Sequence, residues 1–152
     1  MYPITLISAS LKRYFAKFSA LLALLLLSFN LQANEFNRGD ITIYYNALSS
    51  ASIPAEVAAQ YGITRSGRTG LVNISVARSG KAIFANIFGQ GQNLTGQLKK
   101  LAFKEIKEGD AIYYIAVFNF NNAENLTFDL QVQPEKQGQL IPLKFKQQLF
   151  RD

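Results

Sequence analysis

Over residues 110–120 the chain reads D-A-I-Y-Y-I-A-V-F-N-F, which in an extended strand puts Ile112, Tyr114, Ala116, Phe118 and Phe120 on one side and Tyr113, Ile115 and Val117 on the other. Neither side offers water a polar stripe, so the pattern predicts a strand in the middle of a sheet. Its β-branched and aromatic content, and its closure by Gly109-Asp110 and Asn121-Asn122, favour a strand over a buried helix.

The same reading gives the neighbours. Residues 38–48 alternate Ile41, Ile43 and Tyr45 against Asp40, Thr42 and Tyr44, predicting a first strand with one buried face. The longest connection follows, residues 49–69. Within it Ser52 is placed to cap a short helix over 53–60, with Pro54 in the permissive first turn and Gly62 as the stop. Residues 71–78 predict a second strand with Val72, Ile74 and Val76 inward, and Ser79-Gly80 turns it into a third over 81–88. Residues 89–96, rich in Gly, Gln and Asn, are expected as a loop. Residues 99–107 set Leu101 and Phe103 against Lys100 and Lys104 and are expected as one strand. Residues 126–133 alternate without a break, and the last strand, 140–150, contains Pro142, which cannot donate to a ladder and belongs at a sheet edge or bulge. About seven strands with one helical insertion predict an all-β, immunoglobulin-like antiparallel β-sandwich, although the Cys pair and core Trp of antibody domains are missing.

Residues 1–33 have a different pattern, that of a secretory signal. Lys12, Arg13 and Lys17 make a positive region, 18–29 is apolar, and Leu31-Gln32-Ala33 is an acceptable exit ahead of Asn34. The apolar run is shorter than the ~20 residues of a spanning helix. Cleavage is therefore expected, leaving one domain over 34–152 and no stable membrane span. The leader's three bases account for half of the formal charge of +6, so the pull toward nucleic acid is weak. Neither Cys nor His occurs. That excludes Cys nucleophiles, His general bases, and zinc, copper or haem sites built on those residues, and no cofactor or metal is expected.

A set of short strings carries a family resemblance: Tyr45-Asn46-Ala47, Tyr61-Gly62-Ile63-x-Arg65-Ser66, Asn73-Ile74-Ser75-Val76, Leu94-x-Gly96-Gln97-Leu98, Ile112-Tyr113-Tyr114-Ile115-Ala116, and Phe145-x-Gln147-Gln148-x-Phe150-x-Asp152. With these the chain resembles a family of small exported gammaproteobacterial proteins, domain of unknown function 4426, over nearly all of 34–152. The resemblance implies a periplasmic location and brings no activity, cofactor or catalytic residue.

Four residues of the long connection, Tyr61, Arg65, Ser66 and Arg68, form the candidate binding site, since an Arg fork beside hydroxyls suits a carboxylate or phosphate. The competing expectation is that Arg65 pins the loop through its carbonyls or through Asp40 or Glu56. Lys99, Lys100, Lys104 and Lys107, joined by Lys144 and Lys146, are either a basic stripe for an anionic envelope component or a solvated outer face that protects strand edges. Gly89-x-Gly91 and Gly96 lack the Lys and the helix start of a phosphate cradle. Glu105, Glu108 and Asp110 read as acids of a wet turn rather than a paired acid–base or Ca²⁺ site. The expected function is non-enzymatic binding of an envelope protein or anionic envelope component, with strand addition at an exposed edge as one mode and no role for nucleic acid. The alternatives are a small-ligand carrier, or an envelope enzyme using carboxylates or Ser with Lys beside the 49–69 connection. Oligomeric state is not set by the sequence.

Overall fold

The computed structural model of the chain describes residues 34–151, and the expected signal segment lies outside them. Two antiparallel sheets face each other. The larger has the order β1-β2-β3-β8-β7 with β4 attached to β3, and the smaller runs β10-β9-β5-β6. The strands are β1 (Asn34–Arg38), β2 (Ile41–Ser49), β3 (Thr69–Arg78), β4 (Lys81–Ala82), β5 (Ala85–Asn93), β6 (Leu98–Lys100), β7 (Lys104–Glu108), β8 (Ala111–Asn119), β9 (Glu124–Pro134) and β10 (Ile141–Leu149). The helix α1 (Ala55–Tyr61) lies between β2 and β3, after a 3-10 turn over Ser50–Ser52.

The all-β sandwich expected from alternation is present, and the inward sets meet in one core. Ile43, Val72, Ile74 and Val76 come from the larger sheet, and Leu126, Phe128, Leu130, Val132 and Leu143 from the smaller; all are buried. At about 1.5–3 kcal/mol for each large side chain, this burial is the main force holding the sheets together. Phe128 stacks on Phe145 with ring centroids 4.8 Å apart and meets Phe118 edge-on at 5.5 Å.

The structure differs from the pattern reading at four places, each with a physical cause. The about seven strands become ten because two of the expected strands are each divided between the two sheets and β1 adds an edge strand ahead of the first expected one. The third expected strand breaks after Ala82, and the chain crosses to the smaller sheet at Ala85. There the Tyr114 hydroxyl accepts the Ala85 N–H at 2.8 Å and donates to Glu105 at 3.3 Å. Burial raises the Tyr114 pKa, which keeps that hydroxyl a donor.

Residues 89–93, expected in a loop, instead continue β5 along β9. Their glycines serve close approach. A Cβ at Gly89, whose φ is +145°, would meet the Asp129 carbonyl oxygen, and one at Gly91 would lie 3.0 Å from the Phe128 ring.

The helix begins at Ala55 rather than Ile53, and Ser52 does not cap it. The Pro54 ring forces Ile53 into extended geometry (φ −79°, ψ 135°), so Ile53 ends the 3-10 turn and cannot join the α-helix. Gly62 ends the helix as expected, with the Ile63 N–H donating to Ala58 O at 2.8 Å.

The strand apolar on both faces, β8, is not central but second from the edge, since β3 occupies the middle of its sheet. Its Tyr114, Ala116 and Phe118 face the core, while Tyr113 and Ile115 are half-buried and Val117 is 49% exposed. The outer face of this sheet carries a second, smaller apolar layer, with Ala58, Leu71, Ala77 and Ile106 buried apart from the main core. That layer, and the exposure left at Val117, lead to the site.

Candidate functional site

The expected strand over 99–107 keeps its alternation but changes partner midway. Leu101 is buried in the core, Phe103 packs against it, and Glu105 bonds Tyr114 on the inner face. Lys99 turns inward as well, its ammonium 3.3 Å from the Glu124 carboxylate, with side-chain exposures of only 11% and 7%. Four alternate residues thus pull one extended segment through the gap between the sheets. Its first part pairs with β5 as β6 and its last part with β8 as β7.

The crossing leaves part of β8 uncovered. β7 accompanies β8 only as far as the Lys104–Ile115 pair, so Ala116–Asn119 have β3 on one side and no strand on the other. The vacated space is an open concavity of about 410 Å³, walled by residues 97–100 and 117–119. Leu98 and Val117 stand at its rim, 57% and 49% exposed. Lys99 and Lys100 are its only charged lining, with no carboxylate and no hydroxyl among them.

Beneath this notch lies a polar clasp. The Glu124 carboxylate accepts from the Asn93 side chain at 2.7 Å and from the Asn121 backbone N–H at 2.6 Å, besides meeting Lys99. Burial pushes its pKa up, but the Asn121 and Asn93 donors and the Lys99 charge outweigh burial and hold the carboxyl below its ordinary value. The clasp ties the β5–β6 turn to the β8–β9 turn, where Ala123 sits at φ +54°. The signal for it in the sequence is the Asn121-x-x-Glu124 spacing, which lets the Glu124 carboxylate reach back to the Asn121 N–H as in one half of a capping box.

The four residues expected to form a site on the long connection have separate structural partners. The Tyr61 hydroxyl donates to Glu108, which also accepts from Gln60 at 3.2 Å. The Arg65 guanidinium donates to the Ala51 carbonyl at 2.8 Å. Ser66 donates its N–H to the buried Ser50 hydroxyl at 3.0 Å and accepts the Arg68 N–H on its own at 3.1 Å. The Arg68 carbonyl accepts the Phe120 N–H at 2.9 Å, and its side chain is exposed. Ser66 and Arg68 are therefore brought together, whereas Tyr61 and Arg65 point to different anchors. Because the Arg65 bond is exposed, Arg65→Ala is expected to lower stability by about 0.5–1.5 kcal/mol. A melting point down by a few degrees would show it, and an unchanged melt would contradict a pinning role.

The basic stripe is not continuous. β6 and β10 are opposite edges of the smaller sheet, so Lys144 and Lys146 lie ~14 Å from the β6 lysines, three strand spacings away. Lys99 is sequestered by Glu124, and Lys107 meets Glu105 at 3.1 Å. Among the described residues no three of His, Cys, Asp and Glu come together as a metal site. No helix there is long and apolar enough to cross a membrane.

A family model described as "Domain of unknown function (DUF4426)" matches residues 35–152. The chain belongs to this family. A crystal structure of a DUF4426 family protein from Pseudomonas aeruginosa PAO1 is similar to it with a TM-score of 0.72 and 28% identity, covering 80% of this chain and 98% of that one. The DUF4426 fold extends more distantly to FetP of uropathogenic Escherichia coli strain F11. A copper-bound variant of FetP has a TM-score of 0.56 at 12% identity, covering 76% of this chain and 93% of its own. FetP as isolated, expressed recombinantly in the E. coli periplasm, has a TM-score of 0.50 at 11% identity, covering 79% and 93%. No curated protein matches the chain significantly.

Proposed function

We propose that this DUF4426 chain is an exported, non-catalytic binding module of the periplasm, and that a partner protein of the cell envelope docks in the notch between β6 and β8. The observation that carries this reading is a sheet left half-covered beside an open concavity, with Leu98 and Val117 exposed at its rim. Exposed apolar side chains around a bare strand are surface that a monomer gains by covering. The leader pattern of residues 1–33 supports export, and the one-domain reading of 34–152 goes with it.

The lining argues against chemistry at the same place. It offers no nucleophile with a base beside it, and its buried amine, Lys99, is held by Glu124. Copper, which FetP binds in the variant structure, does not suit the donors available here. The chain has no His and no Cys, its single Met is Met1, and the described carboxylates do not cluster.

The test is site-specific photo-crosslinking in intact cells with the probe at Leu98, at Asn119, at Arg65 and, as a control on the far edge, at Lys146. The expected result is one protein adduct shared by the Leu98 and Asn119 positions and absent at Lys146. Adducts confined to Arg65, or equal at all four positions, would reject the notch as the docking point.

A further inference from the structure

Hydrogen-bond parity shows what kind of partner the notch can hold. In an antiparallel pair, alternate residues turn their N–H and C=O groups toward the neighbouring strand and the rest turn them away. The Phe120 N–H donates to Arg68 O at 2.9 Å, and this pair continues the β3–β8 register of Gly70 with Phe118. Even-numbered residues of β8 therefore bond to β3. Val117 and Asn119 aim their N–H and C=O groups the other way, where β7 no longer runs.

The facing wall has the same property. The Asn93 N–H donates to Gln97 O at 3.1 Å, continuing the register of Gln92 with Leu98. Odd-numbered residues here bond to β5, so Leu98 and Lys100 present their backbone groups outward. Among the described residues none of these four has a strand paired on its outward side.

Resting on the docking reading above, we infer that the notch takes an extended segment of the partner as an added strand on Val117–Asn119, and that this segment carries an acidic residue flanked by apolar ones. The segment fills the position that residues 101–103 leave when they cross to the other sheet. Backbone bonding to Val117 and Asn119 supplies affinity regardless of sequence, and the side chains at the rim select. Leu98 and Val117 call for apolar neighbours. The lining holds two ammonium groups and no carboxylate, and with Lys99 engaged by Glu124 the uncompensated charge is that of Lys100. An acid on the segment answers it.

The other long edge shows by contrast what a guarded strand looks like. The Glu135 N–H donates to Phe84 O at 2.8 Å in the β5–β9 register, so even residues of β9 bond to β10, and Lys144 and Lys146 of β10 face outward. That edge carries Pro142 and two lysines, and a second copy pairing antiparallel about its centre would set Lys144 against Lys146. Like charges directly opposite oppose such pairing. The bare half of β8 has neither proline nor a charge on the strand itself.

The experiment uses ¹⁵N-labelled protein recovered from the producing cells and three capped peptides of alternating Thr and Val that differ only in a central Glu, Gln or Lys. The Glu peptide is expected to shift the amide resonances of Val117 and Asn119 and to bind at least fivefold more tightly than the Lys peptide, with Gln between them and the difference shrinking at high salt. Asn119→Pro removes one outward N–H and no bond to β3, so it is expected to keep the fold and to weaken the Glu peptide at least tenfold. Should that variant fail to fold, Lys100→Glu replaces it and is expected to reverse the preference between the Glu and Lys peptides. Equal binding of all three peptides at Val117 and Asn119 would overturn the acidic partner while leaving strand addition. Shifts centred on Lys144 and Lys146, or shifts at the notch that follow protein dilution without peptide, would overturn strand addition by a partner segment. The docking reading fails separately, on the crosslinks at Leu98 and Asn119.

Discussion

Glu124→Ala is expected to cost about 3–5 kcal/mol of stability, a fall in melting temperature of roughly 15 °C. The wild-type carboxylate gathers three charged or polar partners while almost excluded from water: Lys99, the Asn93 side chain and the Asn121 backbone N–H. Removing it leaves the Lys99 ammonium buried without a counter-charge and the turn at Ala123 without its brace. The pair itself is not the source of the whole loss, because exchanging both charges for apolar residues of similar volume is often neutral. A Lys99→Met, Glu124→Leu double variant is therefore expected to recover most of what Glu124→Ala loses; a double variant as unstable as the single one would contradict the explanation.

The same carboxylate sets an acid limit. Its folded pKa is depressed, so its contribution is complete at pH values above the ordinary carboxylate pKa of about 4.3 and is lost as pH falls from there through the folded value. Wild type is expected to lose stability across that window more steeply than Glu124→Gln. Parallel urea melts at pH 7 and below pH 4 check this, and equal slopes in the two proteins would remove Glu124 as the cause.

Phe128→Ala is expected to cost about 3–5 kcal/mol, comparable to the loss at Glu124 but for a different reason. The ring is fully buried, stacks on Phe145 and meets Phe118 edge-on, and it lies over Gly91, which leaves little that can collapse into the space. The loss should therefore be independent of pH from 4 to 8, unlike that at Glu124. Phe128→Leu, which keeps most of the volume, is expected to recover more than half. A Phe128→Ala protein that melts within a few degrees of wild type would mean the core can repack.

The contrast between these two residues marks what could be read in advance. Phe128 stands in an unbroken alternation from Leu126 to Val132, and its burial follows from that alternation alone. Glu124 is the first residue of the same strand, two positions ahead of that alternation, in a stretch of Asn and Glu that reads as a wet turn. Nothing local indicates that Lys99 will be beside it, because they meet only when the two turns that hold them come together at one end of the sandwich. Arg65 is a third case: its place on a long connection suggests a site, and its guanidinium also donates to the Ala51 carbonyl fourteen residues back, a contact that no local pattern indicates.

By itself the sequence determined the all-β class, the inward and outward faces of nearly every strand, and the helix stop at Gly62, because each depends on the period of a few adjacent residues. Family membership was legible too, from short strings spread over 34–152. Only the tertiary structure decided which strand each edge pairs with. The segment 99–107 has a single alternation, and no residue in it says that Leu98–Lys100 will bond to β5 and Lys104–Glu108 to β8. Pairing is a contest between strands distant along the chain, settled by how Lys99, Leu101 and Phe103 are buried together. The notch exists because that contest was split.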